Sequence, residues 1–343
     1  MSGGRPVRRR ALGRSGYGLL SPALLLLLLA FLVPVGMMVP VSFRPYLPGR
    51  GIGEGFTAEH YVKLFTDPYY YEIVGRTIGL GLTVTLLTLV AGYPLAYFLA
   101  RSESRWRHWL TILVVFPLLL NLVVRTFGWI ALLANRGLVN EALAGLGWID
   151  QPIRLMFNFT GLLIGLTHIF LPFMVRVLIG VIQGISRDLE DAARVLGANW
   201  GSTFLRVTLP LSLPGILSGS ILVFVLTISA LVTPRLLGGP TYKVMSTLIY
   251  DEFLQLLNWP AGSAMALVLT LLVLAMIFVS GPPHQAADRA GAAAGGAARL
   301  GGAGVRLPAG AGGGDRAGVV QRDLVPDGAA AGDHAPLVRA GAE

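Results

Sequence analysis

Long apolar runs separated by short polar breaks organise residues 18–280 of the chain. The runs cover residues 18–42, 74–100, 109–133, 159–182, 212–237 and 260–280. Each is near or above the ~20 residues a helix needs to cross the hydrocarbon of a bilayer. Pro117 and Pro172 interrupt the third and fourth runs, which neighbouring helices in a membrane bundle can tolerate. The pattern predicts an all-α polytopic membrane protein with six transmembrane helices. The first run follows Arg5, Arg8, Arg9, Arg10 and Arg14 in a basic stretch of residues 1–17. A signal peptide shares that polarity, but its apolar core is shorter and ends at a small-residue cleavage site. The run is therefore read as a retained first helix.

One stretch, residues 184–211, breaks the alternation because it carries charge and helix-stop signals between two membrane-length runs. Leu189, Ala192, Ala193 and Leu196 recur at the spacing of one helix face, while Arg187, Glu190, Asp191 and Arg194 are expected to point elsewhere. Ser186 or Asp188 can cap the start, and Gly197 can close the end in the left-handed conformation. A second short apolar face follows in Trp200, Phe204 and Val207, and Pro210 and Pro214 are expected to stop it. The prediction is a compact helical elbow on a membrane surface.

The spacing narrows this reading. Asp191-Ala192-Ala193, then Gly197, then Val207 and Leu209-Pro210 resembles the EAA loop of permeases in binding-protein-dependent ABC importers. Asp191 stands for the usual Glu and Val207 for the usual Ile. The resemblance implies a cytoplasmic coupling loop at residues 184–211, whose helix would sit in a cleft of a separate ATPase subunit. The implied coupling residues are Leu189, Glu190, Asp191, Ala192, Ala193, Leu196, Gly197, Val207, Leu209 and Pro210. The alternative is an interfacial helix with no partner.

Charge orients the spans. The formal net charge is +9, and the basic residues lie in short segments between the apolar runs. Arginines at the N-terminus, at Arg101, Arg105 and Arg107, and at Arg187, Arg194 and Arg206 outnumber those of the alternate loops, which carry Arg44, Arg50, Lys63, Arg136, Arg154 and Lys243. Positive flanks favour the cytoplasm, so both termini and the elbow are expected inside. This distribution makes nucleic-acid binding a poor explanation of the charge. The chain has no cysteine, so it can form neither a disulfide nor a thiolate metal site.

Two function classes lose ground on composition. None of the six runs contains Asp or Glu, whereas a proton- or sodium-coupled carrier usually needs an intramembrane carboxylate. A phosphate loop needs Gly-Lys followed by Ser or Thr, yet Lys63 precedes Leu64 and Lys243 precedes Val244. Any ATP chemistry must come from another chain. A secondary carrier or a membrane scaffold without transport remains the rival from another class.

Residues 121–140, with Arg125-Thr126, and residues 233–253, with Leu237-Gly238-Gly239-Pro240, look like the putrescine/spermidine-type branch of these permeases. Iron, phosphonate and opine importers share similar segments and remain alternatives. The family implies ABC ATPase subunits, a second homologous permease and a periplasmic or lipid-anchored solute-binding protein as partners, within a bacterial inner membrane. It implies no cofactor on this chain, with ATP and magnesium held by the ATPase.

Asn121, Arg125, Thr126 and His168 lie within the runs and are candidates for a solute pathway or gate. An intramembrane arginine costs about 2.5–3.5 kcal/mol on insertion scales, which makes Arg125 a functional candidate by default. Five scattered histidines give a metal site little support. Asp251 and Glu252 are expected to be solvated surface charges. Residues 281–343 contain no aromatic residue and no Ile, and are rich in Gly and Ala. They read as a disordered tail, or as the translation of a displaced reading frame, the reading favoured here.

Overall fold

The computed structural model of the protein describes residues 15–279. The tail expected at residues 281–343, with its displaced frame, and nearly all of the basic N-terminal stretch lie outside the described residues. The elements in order are α1 (Ser15–Ser42), a two-stranded antiparallel hairpin of β1 (Tyr46–Leu47) and β2 (Gly51–Ile52), α2 (Glu59–Thr66), α3 (Pro68–Arg101), α4 (Trp106–Leu119), α5 (Leu122–Leu133), α6 (Leu138–Gly145), α7 (Phe159–Gly184), α8 (Arg187–Val195), α9 (Trp200–Thr203), α10 (Leu209–Ser229), α11 (Met245–Leu254) and α12 (Trp259–Val279). Five-residue π turns lie at Phe204–Thr208 and Pro234–Gly238. Among the described residues, six helical stretches are long and apolar enough to cross a membrane.

The interior is built by α3, α7 and α10, which pack on one another. Leu80, Val84, Ala96 and Leu99 of α3 meet Leu162, Leu166, Met174, Leu178 and Ile182 of α7 and Val223 of α10. Asp67 starts α3 by accepting the Tyr69 amide at 2.9 Å, with Pro68 at the first helical position, where no amide hydrogen is needed. Tyr93 and Ser212, both buried, join α3 to α10 through a 2.7 Å hydroxyl contact. A second cluster, Leu64, Ile73, Met245, Leu248, Ala261 and Met265, gathers α2, α3, α11 and α12. Helix α1 packs on α12 and presents Leu24 to Leu29 outward. Hydrocarbon chains are as apolar as leucine, so such a surface suits lipid.

Two apolar runs fold differently from expectation. The third is not one helix: α4 ends at Leu119, Leu120 turns extended, and α5 starts at Leu122. The cause is local. Asn121 accepts the Val123 amide at 2.8 Å, offering the backbone an alternative to the helix just beyond Pro117. The spanning stretch there is Leu122–Gly145, and α4 is a shorter apolar helix.

In the fifth, helix runs from Trp200 to Ser229, and neither Pro210 nor Pro214 stops it. The π turn at Phe204–Thr208 explains this, since the Leu209 amide bonds five residues back to the Phe204 carbonyl. That wider turn accommodates Pro210, which has no amide hydrogen and would crowd a regular turn. The run ends at Ala230, in extended conformation, and its residues from Pro234 to Leu237 belong to the π turn that follows.

Candidate functional site

Helix α8 is the short charged helix expected between the fourth and fifth spans. Ser186 opens it by accepting the Asp188 amide at 3.2 Å. Gly197 closes it with φ +86°, while the Ala198 amide bonds the Ala193 carbonyl at 3.0 Å. A side chain at Gly197 would be strained in that conformation. Leu189, Val195 and Leu196 are exposed, the last two at 88 % of their full surface. Asp191 and Ala192 share this exposure, and Ala193 is partly covered.

Glu190 points away from the apolar face, as expected, but inward. It does not point outward with the other charges but is only 5 % exposed. Its Oε1 lies 2.9 Å from Arg101 Nη2 at the end of α3 and accepts the Thr208 hydroxyl at 3.0 Å. Arg101 Nη2 also donates to the Ile185 carbonyl at 3.0 Å. Arg187 donates to the Arg101 carbonyl at 3.0 Å and to Glu103 at 2.7 Å. Removing one partner of a buried ion pair costs about 3–5 kcal/mol, so Glu190 and Arg101 matter to this corner of the fold. The Asp191–Arg194 contact, exposed and 3.5 Å long, belongs to a class worth about 0–1 kcal/mol.

The second half of the elbow is aromatic. Asn199 caps α9 by accepting the Ser202 amide at 2.8 Å. Trp200 stacks on Phe204 with ring centres 5.7 Å apart, and Phe204 meets Tyr93 and Tyr97 edge-on, each at 5.6 Å. Val207 and Leu209 are partly buried, Thr208 is buried and Pro210 is exposed.

The four gate candidates have different partners, and Arg125 and His168 lie within electrostatic reach of each other. Asn121 is spent on the break between α4 and α5. Thr126 is buried, donating to the Leu122 carbonyl at 2.9 Å and meeting the Thr233 hydroxyl at 3.2 Å. Arg125 is partly buried, and its Nε and Nη1 have no hydrogen-bond partner among the described residues. One turn further along α5, the Trp129 indole donates to His168 Nδ1 of α7 at 3.2 Å.

Asp251 and Glu252 correct the sequence reading, since both are buried on α11 rather than solvated. Asp251 accepts from Arg235 at 2.7 Å and Lys243 at 2.9 Å, and Arg235 lies over the Tyr250 ring at 4.1 Å. Burial pushes the Asp251 carboxyl up, but hydrogen bonds from Lys243 and Arg235 outweigh it and hold it below its ordinary range. Burial, followed by the charge of Asp251, raises Glu252.

A family model described as "Binding-protein-dependent transport system inner membrane component" matches residues 92–281, a stretch that holds the elbow, Arg125, His168 and α11. The chain belongs to this family. The spermidine/putrescine transport system permease protein PotB of Escherichia coli is 36 % identical to this permease over 253 residues, 74 % of this chain and 92 % of that one. The protein of the same name from Haemophilus influenzae is 34 % identical over 248 residues, covering 72 % and 86 %. A chain of a solved bacterial ABC transporter involved in alginate import shares the fold, with a TM-score of 0.62 at 21 % identity over 79 % of this permease and 94 % of that chain.

The permease is thus a transport subunit, not an enzyme, and a multi-pass protein of the inner membrane. Sequence reasoning found α8 and both of its caps but missed what holds it in place. Arg101 was counted only as a charge flanking a span, and Thr208 fell between two motif positions. No local signal pairs residues so far apart in the chain.

Proposed function

We propose that this permease passes polyamines of the putrescine and spermidine class into the cytoplasm as part of an ATP-driven importer. The observation that carries the solute class is the 36 % identity to PotB across most of both chains. In this reading a periplasmic or lipid-anchored binding protein selects the solute and a second, homologous permease completes the pathway. Two cytoplasmic ATPase subunits bind ATP and magnesium, and this chain binds neither. The absence of carboxylates from the apolar runs supports assigning selection to the binding protein, because nothing in them would hold a cationic solute tightly.

The coupling role falls to the elbow. Leu189, Ala192, Ala193 and Leu196 would seat in the ATPase, with Asp191 at the rim, Gly197 fixing the turn, and Val207, Leu209 and Pro210 joining the elbow to α10. The exposure of Leu189, Val195 and Leu196 in an otherwise charged helix supports this, since apolar side chains standing free next to a polar rim mark interaction surfaces. The arginine distribution supports an orientation with α8 and both termini in the cytoplasm. Arg125, two of whose nitrogens have no partner among the described residues, and His168 are the residues proposed to border the pathway.

Reconstitution of the permease with its partner permease, ATPases and binding protein in vesicles tests this reading. Labelled spermidine or putrescine should accumulate only with ATP and binding protein present. Uptake driven by an ion gradient without the ATPases, or uptake of ferric iron or a phosphonate in place of polyamine, would contradict it.

A further inference from the structure

The ends of α3 and α7 and the π turn that leads into α10 meet at one buried ion pair, and α8 hangs from it. Arg101 is the last residue of α3. The carbonyl it holds, Ile185, is the C-cap of α7. Thr208, which donates to Glu190, is the N-cap of α10. Glu190 itself sits near the middle of α8 and faces inward, while Val195 and Leu196 of the same helix face out. The chain alone ties α8 to α7 on one side and, through α9, to α10 on the other. It provides no direct link to α3, which packs on both α7 and α10. The Arg101–Glu190 pair supplies that link, and Arg187 adds a second through the Arg101 carbonyl.

We infer that Glu190, Arg101 and Thr208 form a transmission latch that makes α8 move as one body with the ends of α3, α7 and α10. Without it, a push on the outer face of α8 would tilt a short helix between two non-helical joints, one at Ile185–Ser186 and one at the left-handed Gly197. With it, the same push is delivered to the three helices that build the interior. Glu190 is a positioning residue here and touches neither solute nor nucleotide. This inference rests on the coupling role proposed above for α8.

The test uses the whole importer in vesicles and reads solute taken up per ATP hydrolysed. Glu190→Gln keeps the shape and an acceptor for Thr208 but removes the charge. It should retain the ATPase subunits and hydrolyse ATP within about twofold of the parent, while uptake per ATP falls about tenfold, a typical coupling energy between sites. Because the chain has no cysteine, the pair Arg101→Cys and Glu190→Cys can be joined by a short bis-maleimide, with each single variant as control. The unjoined pair should be uncoupled, and joining should restore uptake per ATP to within about twofold of the parent. Three results overturn the latch: an unchanged ratio in Glu190→Gln, no restoration on joining, or loss of assembly in both variants, which a role in folding alone would give. Leu196→Glu separates the two claims. If it leaves ATPase binding intact, the docking role of α8 has failed; if it abolishes binding while the latch variants couple normally, only the latch has.

Discussion

The Phe157 ring stands where a side chain on Gly239 would have to go: a Cβ there would lie 2.4 Å from Cδ1 of that ring. Gly239 also has φ +56°. Phe157 itself has φ +59° and is held by its amide on the Leu237 carbonyl at 2.7 Å and by the Thr241 hydroxyl on its own carbonyl at 2.7 Å. The second glycine of Leu237-Gly238-Gly239-Pro240 thus has a steric cause. Gly239→Ala should destabilise the detergent-solubilised protein by about 1–3 kcal/mol, through overpacking and backbone strain. Gly145→Ala, with open space around it, should stay within about 0.5 kcal/mol of the parent. Thermal unfolding of the two variants checks this, and equal midpoints would contradict it.

Asp251 and Glu252 are neighbours with opposite pH signatures. Asp251 is held below its ordinary range, so its contribution is present above the unfolded carboxylate pKa and lost as pH falls through the folded value. Glu252 is raised, so its folded form binds a proton more readily than the unfolded chain. Its charge then costs stability as pH rises from the unfolded value through the folded one. Asp251→Asn should therefore destabilise at neutral pH by about 1–3 kcal/mol, the loss expected when charge-assisted hydrogen bonds to partly exposed cations are weakened. Glu252→Gln should stabilise, increasingly so as pH rises from the unfolded carboxylate value through the folded one. Unfolding midpoints of both variants as a function of pH provide the measurement, and parallel pH profiles would refute the assignment.

Arg125 and His168 differ in what their removal leaves behind. Two Arg125 nitrogens have no partner among the described residues, so Arg125→Met should leave stability unchanged or raise it by about 1 kcal/mol. His168→Phe strips the acceptor from the Trp129 indole and should cost about 1–3 kcal/mol. In transport, Arg125→Ala should change the rate but not which solute enters, provided the binding protein is unaltered. A shifted solute profile would locate selectivity in this permease.

The membrane spans were legible because a run of about 20 apolar residues has few alternatives. The departures come from effects that hydropathy does not register. Asn121 breaks the third run by one side-chain hydrogen bond, and a π turn carries the fifth through Pro210. The elbow was legible from its spacing and caps, both local properties. Glu190 was not, because in sequence it is one acid among Asp188, Glu190 and Asp191, and only the distant Arg101 and Thr208 set it apart. Asp251 and Glu252 were misread for the same reason: their burial depends on Arg235, Lys243 and the packing of α11, not on their immediate neighbours.

The central claim is that the outward apolar face of α8 receives the ATPase, and Leu196→Glu tests it most directly. Leu196 is 88 % exposed, so the folded permease should tolerate the change within about 0.5 kcal/mol. A carboxylate forced into an apolar interface is costly to bury without a partner. The measurement is co-purification of the ATPase subunits with the variant, alongside its unfolding midpoint. The account predicts an unchanged midpoint and loss of the ATPase. Full retention of the ATPase, with ATP-driven uptake at the parent rate, would contradict it.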